Sequence, residues 1–117
     1  RPRREPRTGV RVSDGDAHRT VGARMVEDVD TEGVGPGSVE VRAFDGAVWG
    51  YGYACAGCGS RSYLALSDDN PGPRWDVTAG DPRKPETVTL SPSIFHTKER
   101  GGCGWHGYLA AGVFRPC

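Results

Sequence analysis

Five of the seven cysteine and histidine side chains of this 117-residue sequence are candidate ligands for a soft metal ion, and they fall in three places. "YACAGCG" (53–59) carries Cys55 and Cys58, "GGCGWHG" (101–107) carries Cys103 and His106, and Cys117 is the last residue. Cys-x-x-Cys on a strand turn, with glycine beside the second cysteine, lets two thiolates approach one ion while backbone amides point back at the sulfurs. Paired with a second cysteine-bearing segment, this pattern marks a zinc site. In so small a chain the zinc is structural, a staple where burial alone is insufficient. A tetrahedral ion takes four ligands, and the sequence offers five. Two sets stand open. Cys55, Cys58, Cys103 and His106 have the tighter spacing and leave a free terminal thiol. Cys55, Cys58, Cys103 and Cys117 tether the chain end by a hairpin over "GYLAAGVF" and release His106 for other work.

The composition says what must position these groups. Eighteen glycines and nine prolines in 117 residues leave few aliphatic side chains and a thin core for a single domain. Formal net charge is zero, which disfavours nucleic acid as a partner. The charge is nonetheless uneven. Residues 1–24 hold seven arginines against three acids, and residues 25–46 hold six acids against Arg42. No apolar stretch is long enough to span a bilayer, and no signal-peptide pattern is present. Four cysteines without a secretory signal favour metal over disulfides and a cytoplasmic setting. Scarce lysine and isoleucine, and absent glutamine, suggest high-GC coding of actinobacterial or actinophage origin, hence a bacterial or phage-infected host cell, or a virion. Met25, the sole methionine, stands where the composition changes and is a candidate start.

The elements read as β. Residues 1–24, with scattered prolines, glycines and arginines, are expected to form a flexible arm that does not pack into the core, leaving 25–117 as the folded domain. "SVEVRAF" alternates as a half-buried strand, Asp45-Gly46 is a hairpin turn, and "AVWGYGYAC" returns with Trp49, Tyr51 and Tyr53 on one face. "RSYLALS" and "RWDVTAG" supply further strands. "TVTLSPSIF" is a strand broken at Pro92, and "HGYLAAGVFRPC" is a pair of short strands about Ala111-Gly112. No segment reads as a helix. The expectation is a small, mainly antiparallel, zinc-stapled β domain, zinc-ribbon-like, with an extended N-terminal arm. Trp49, Trp75 and Trp105 are assigned to the core or its margin.

"CAGCGSRSYLALS" (55–67), Trp75, "TVTLSPSIF" (87–95) and "CGWHGYLAAGVF" (103–114) together resemble a family of small proteins of bacteria and actinobacterial phages. The family was long filed as a domain of unknown function, and its phage members are often labelled "ammonia monooxygenase". Bacterial members sit in operons for ubiquitin-like conjugation and are implicated there as serine-dependent peptidases that remove the modifier. The resemblance covers about residues 38–117 and is most specific at "SPS" and C-x-x-H-G. It departs at the aromatic strand before the first knuckle and at Ser60, where a more basic residue is expected.

The resemblance implies a serine nucleophile in "TLSPSI", Ser93 or Ser91, with His106 as its base. The fourth zinc ligand is then Cys117, and four thiolates close the zinc to catalysis. Amides of Gly101, Gly102 and Gly104 are candidates for an oxyanion hole, and Glu86, Glu99 and Asp76 for a group that orients His106. The implied activity is that of a peptidase or isopeptidase acting on a ubiquitin-like or other protein substrate. The alternative is a non-catalytic zinc-ribbon-like module that binds a protein partner through the aromatic strand or the arginine arm.

Overall fold

A computed structural model describes residues 16–66 and 72–117. Ten short strands and two single 3-10 turns, Pro85–Thr87 and Lys98–Arg100, make up its regular structure. The strands are β1 (Val21–Gly22), β2 (Arg24–Met25), β3 (Ser38–Phe44), β4 (Ala47–Ala54), β5 (Arg61–Ala65), β6 (Asp76–Ala79), β7 (Thr89–Ser91), β8 (Ile94–Phe95), β9 (His106–Ala110) and β10 (Val113–Pro116). They form three sheets, in the orders β2-β3-β4-β5, β1-β10-β9-β8 and β6-β7. Every pairing is antiparallel except β2 on β3.

Turn chemistry sets the two long hairpins. Asp45 and Gly46 between β3 and β4, and Ala111 and Gly112 between β9 and β10, all have positive φ. Two such residues in succession give the tight turn whose twist matches that of the strands it joins. The break in "TLSPSIF" falls at Pro92, after a cis Ser91–Pro92 peptide bond. Proline has no N–H for a ladder, so β7 pairs with β6 while β8 leaves to join β9.

The core lies between the two larger sheets. Val39, Tyr51, Tyr53 and Leu64 face Ile94, Leu109 and Phe114, with Trp105, Val88 and Leu90 filling the same buried cluster. Phe114 is central, stacking on Tyr53 and meeting Trp105 edge-on at centroid distances of 6.1 Å. Burying such rings supplies most of what a glycine-rich chain can gain from water exclusion.

Two expectations change here. Trp49 does not share a face with Tyr51 and Tyr53. Arg42 pairs with Gly50 and Ala43 with Val48, so Trp49 is the extra residue of a β-bulge. A bulge shifts the side-chain alternation by one position. Trp49 therefore stands 43% exposed, its ring edge-on to Phe44, while Tyr51 and Tyr53 are buried. The second concerns the N-terminal arm, of which residues 1–15 lie outside the described residues. Residues 16–24 lie against the domain. Val21 pairs with Phe114, Ala23 N–H donates to the Gly112 carbonyl (2.7 Å), and the Trp105 indole donates to the Arg19 carbonyl (2.8 Å). Backbone pairing needs little apolar surface, so composition did not reveal it.

Phe114→Ala is expected to cost about 3–5 kcal/mol, the usual range for a buried ring. Phe44→Ala, at a position 71% exposed, should fall within about 0.5 kcal/mol of the parent. Urea denaturation of both variants followed by fluorescence or circular dichroism checks the contrast.

Candidate functional site

Three of the five candidate ligands gather at one point. The sulfurs of Cys55, Cys58 and Cys103 all lie within 4.8 Å of one another, an arrangement able to hold a metal ion. Cys55 Sγ and Cys103 Sγ are 3.8 Å apart. Two thiolates on one tetrahedral ion at 2.3 Å each would be separated by roughly the same distance. The knuckle folds as its sequence suggests. The Gly59 amide closes the turn on the Cys55 carbonyl (2.8 Å), and the Gly57 amide points at Cys55 Sγ (3.3 Å). Burial, above all, pushes the Cys55 thiol up to about 12. Burial also pushes Cys58 upward, but hydrogen bonds from Ser60 and from the neighbouring thiols outweigh it and hold Cys58 below the usual thiol range. Cys117 and His106 are not in this group; both side chains are exposed.

His106 stands elsewhere because of strand geometry. Along the segment leading into β9, Cys103 and Trp105 are buried and His106 is exposed. Gly104, between Cys103 and Trp105, has a φ of 90° and β9 begins only at His106, so it is the step from buried Trp105 to exposed His106 that takes adjacent side chains to opposite faces. Cys103 turns inward to the thiol cluster and His106 outward. There its Nε2 is 2.9 Å from Ser93 Oγ. The Phe95 ring packs against the imidazole at a centroid distance of 4.7 Å, in register with it across β8 and β9. Ser93 and Phe95 flank the buried Ile94 and so share the outer face. The indole N–H of Trp75 donates to the Ser93 carbonyl (3.2 Å) and fixes the main chain at that point. Ser91, two residues earlier, ends β7 opposite Asp76.

The glycine loop does not supply open amides. Gly101 N–H donates to the Lys98 carbonyl (3.0 Å), Gly102 to Thr97 (2.9 Å) and Gly104 to His96 (2.8 Å). These bonds hold the loop that presents Cys103; it is glycine-rich because Gly101 and Gly104 have positive φ and a Cβ at Gly102 would lie 2.7 Å from the His96 main chain. Among the described residues, no carboxylate is hydrogen-bonded to His106. Glu86, one candidate for that role, accepts instead from the Met25 amide (3.1 Å).

Sequence reading missed His96. Its Nε2 lies 2.6 Å from the Tyr53 hydroxyl, bridging the two large sheets. Burial holds the His96 imidazole below its ordinary value and pushes the Tyr53 phenol well up. The pair forms part of the wall of a cavity of about 400 Å³ that also includes Phe95 and Trp75, the two residues that support His106 and Ser93. Nothing local in the sequence pairs residues 53 and 96, which lie 43 positions apart.

Residues 25–117 match the family model BubE, described as a bacterial ubiquitination-like system serine protease. The chain belongs to the BubE family. No curated protein and no solved structure gives a match. The BubE match spans the thiol cluster, the Ser93–His106 contact and the cavity beside it. Among the described residues, no helix is long and apolar enough to cross a membrane.

Gly57 offers a test of the cluster. A Cβ there would lie 2.5 Å from Cys103 Sγ and 2.8 Å from the Asp16 carbonyl. Gly57→Ala is therefore expected to weaken metal binding by about 10–100-fold, the scale of a disturbed ligand environment, as read by competition with a chromogenic chelator.

Proposed function

We propose that this chain is a zinc-stabilised serine hydrolase, of peptidase or isopeptidase type, that acts on a ubiquitin-like or other protein substrate through Ser93 and His106. The observation that carries the reading is the 2.9 Å contact between Ser93 Oγ and His106 Nε2, in a chain of a serine protease family. In this mechanism the imidazole is the tautomer with Nε2 free of hydrogen, and the Ser93 hydroxyl donates to it. As Oγ attacks an acyl carbon, the imidazole takes its proton and then delivers it to the departing nitrogen. Water, deprotonated by the same imidazole, releases the acyl group from Oγ. The Phe95 ring limits the rotation of His106, and Trp75 holds the serine main chain. Ser91, paired opposite Asp76, is the weaker candidate for the nucleophile.

Zinc is the metal that thiolates at this spacing fit, with Cys55, Cys58 and Cys103 as three of its ligands. Cys117 is the proposed fourth. Its amide donates to the His106 carbonyl (2.9 Å), which lays the chain end along the start of β9. Opposite His106, its side chain starts on the outer face, so coordination would require the chain end to turn that side chain across to the cluster. Four thiolates leave no open position, so the metal's contribution is to hold the fold.

A second reading, a non-catalytic zinc-ribbon-like module for a protein partner, draws on the exposed aromatic surface of Phe44, Trp49 and Tyr63 beside Arg42. Activity measurements separate the two.

Ser93→Ala and His106→Ala are expected to retain fold and metal and to lower hydrolysis of a ubiquitin-like fusion by at least about 10³-fold. Unchanged turnover in both would favour the module. Elemental analysis should give close to one zinc per chain, and chelation should unfold the protein. In zinc-loaded protein Cys117 should resist iodoacetamide, and Cys117→Ala should lose zinc. Rapid alkylation of Cys117, or an imidazole nitrogen in the zinc coordination sphere, would remove it from the ligand set.

A further inference from the structure

The cavity beside Ser93 lies between two sheet edges. β5 ends one large sheet and β8 ends the other, and residues of both line the same cleft. Antiparallel alternation decides which main-chain groups face it. The His96 amide donates to the Trp105 carbonyl (2.8 Å) and the His96 carbonyl accepts from Gly104 (2.8 Å), so His96 is turned toward β9. Phe95, one residue earlier, pairs with His106 without those bonds and turns its N–H and C=O outward. On β5, Cys55 donates to the Ser60 carbonyl (2.8 Å) and Leu66 to the Trp49 carbonyl (2.8 Å). The residues in phase with Ser60 and Leu66 bond to β4, and Arg61, Tyr63 and Ala65 turn outward. Among the described residues, no strand pairs with either outer edge.

One residue bridges the gap. The Trp75 amide donates to the Ala65 carbonyl (2.9 Å) at the end of β5, and its indole donates to the Ser93 carbonyl (3.2 Å) just before β8. The cleft is thus spanned at the Ser93 end. From there it extends along Phe95, His96 and Thr97 to Gly102.

We propose that this cleft takes an extended segment of a protein substrate as an added strand on β8, antiparallel to it, so that the C-terminal end of the segment arrives at Ser93. The inference rests on the Ser93–His106 reading of the site. An unpaired edge is a template for another chain, and the Phe95 N–H and C=O are the pair that an incoming residue would satisfy. β8 runs away from Ser93, so an antiparallel partner runs toward it. The Trp75 bridge stands across the straight path beyond the serine, which favours cleavage at the end of a tail. Recognition is therefore first of the main chain, and the substrate segment must be unfolded where it binds.

The probe is a peptide library made by proteolysis of a bacterial lysate, incubated with the full chain, with cleavage sites read by mass spectrometry. The best-cleaved peptide is resynthesised with an N-methyl group at each amide in turn. At one amide upstream of the cleaved bond, the one whose N–H meets the Phe95 carbonyl, kcat/KM should fall at least about tenfold, the scale of one lost main-chain hydrogen bond, with little change at its neighbours. Phe95→Pro removes the outward N–H that Phe95→Ala keeps. The ratio of peptide cleavage to p-nitrophenyl acetate turnover should therefore fall by the same factor in Phe95→Pro relative to Phe95→Ala. A flat methylation scan, a loss at adjacent amides alike, or equal ratios in the two variants, overturns the proposal. So does a library left uncut by protein that turns over p-nitrophenyl acetate through Ser93. Absence of that ester turnover would instead overturn the Ser93–His106 reading itself.

Discussion

The junction of Cys55, Cys58 and Cys103 is the constraint on which the rest of the molecule depends. Cys55 and Cys58 sit in the turn from β4 to β5, and Cys103 ends the loop between β8 and β9. The cluster therefore joins the two large sheets at one corner. Strands this short, in a chain with 18 glycines, bury too little apolar surface to fix the angle between two sheets by packing alone. An ion held where the three thiols converge would supply that missing restraint.

The consequences run outward from that corner. Cys103 must face the cluster, so the strand it leads into has a fixed phase. Alternation then places Trp105 in the core and His106 on the outside. The same sheet-to-sheet placement sets β5 and β8 side by side without pairing them, so the cleft and the Ser93–His106 contact share one origin. Tyr53 and His96 reinforce it from below, with a 2.6 Å hydrogen bond between the sheets. The thiol cluster and the serine site are thus on opposite faces of one segment, near in sequence and separate in space.

Proline and glycine do the positioning elsewhere. Pro92 ends one ladder and lets the chain cross to another, which is how Ser91 ends β7 while Ser93, two residues on, stands at the entry to β8 in a different sheet. The glycines at 101, 102 and 104 spend their amides on the loop's own carbonyls. That loop is a mount for Cys103, and its hydrogen bonds are already closed. The outward amide of Phe95 on the edge of β8 is different, because no strand among the described residues pairs with that edge.

Much of this was legible in the sequence because it is local. The Asp45-Gly46 and Ala111-Gly112 turns, the strand "SVEVRAF", the break at Pro92 and the Cys-x-x-Cys knuckle each depend on neighbours within a few residues, where φ preference and side-chain period decide the outcome. Residues 16–24 were not legible. Strands of two residues are too short to show a period, and their hydrogen bonds go to Gly37, Val113, Phe114 and Gly112, remote in sequence. Trp49 was misplaced because a bulge is a property of the pairing of two strands, and one strand's pattern does not reveal it. The sequence by itself determined which side chains are able to carry chemistry, since thiol, imidazole and hydroxyl are properties of side chains. Only the tertiary structure decided which of them meet. That choice rests on the phase of alternation at His106 and on the juxtaposition of strands from three parts of the chain, and neither is a local quantity.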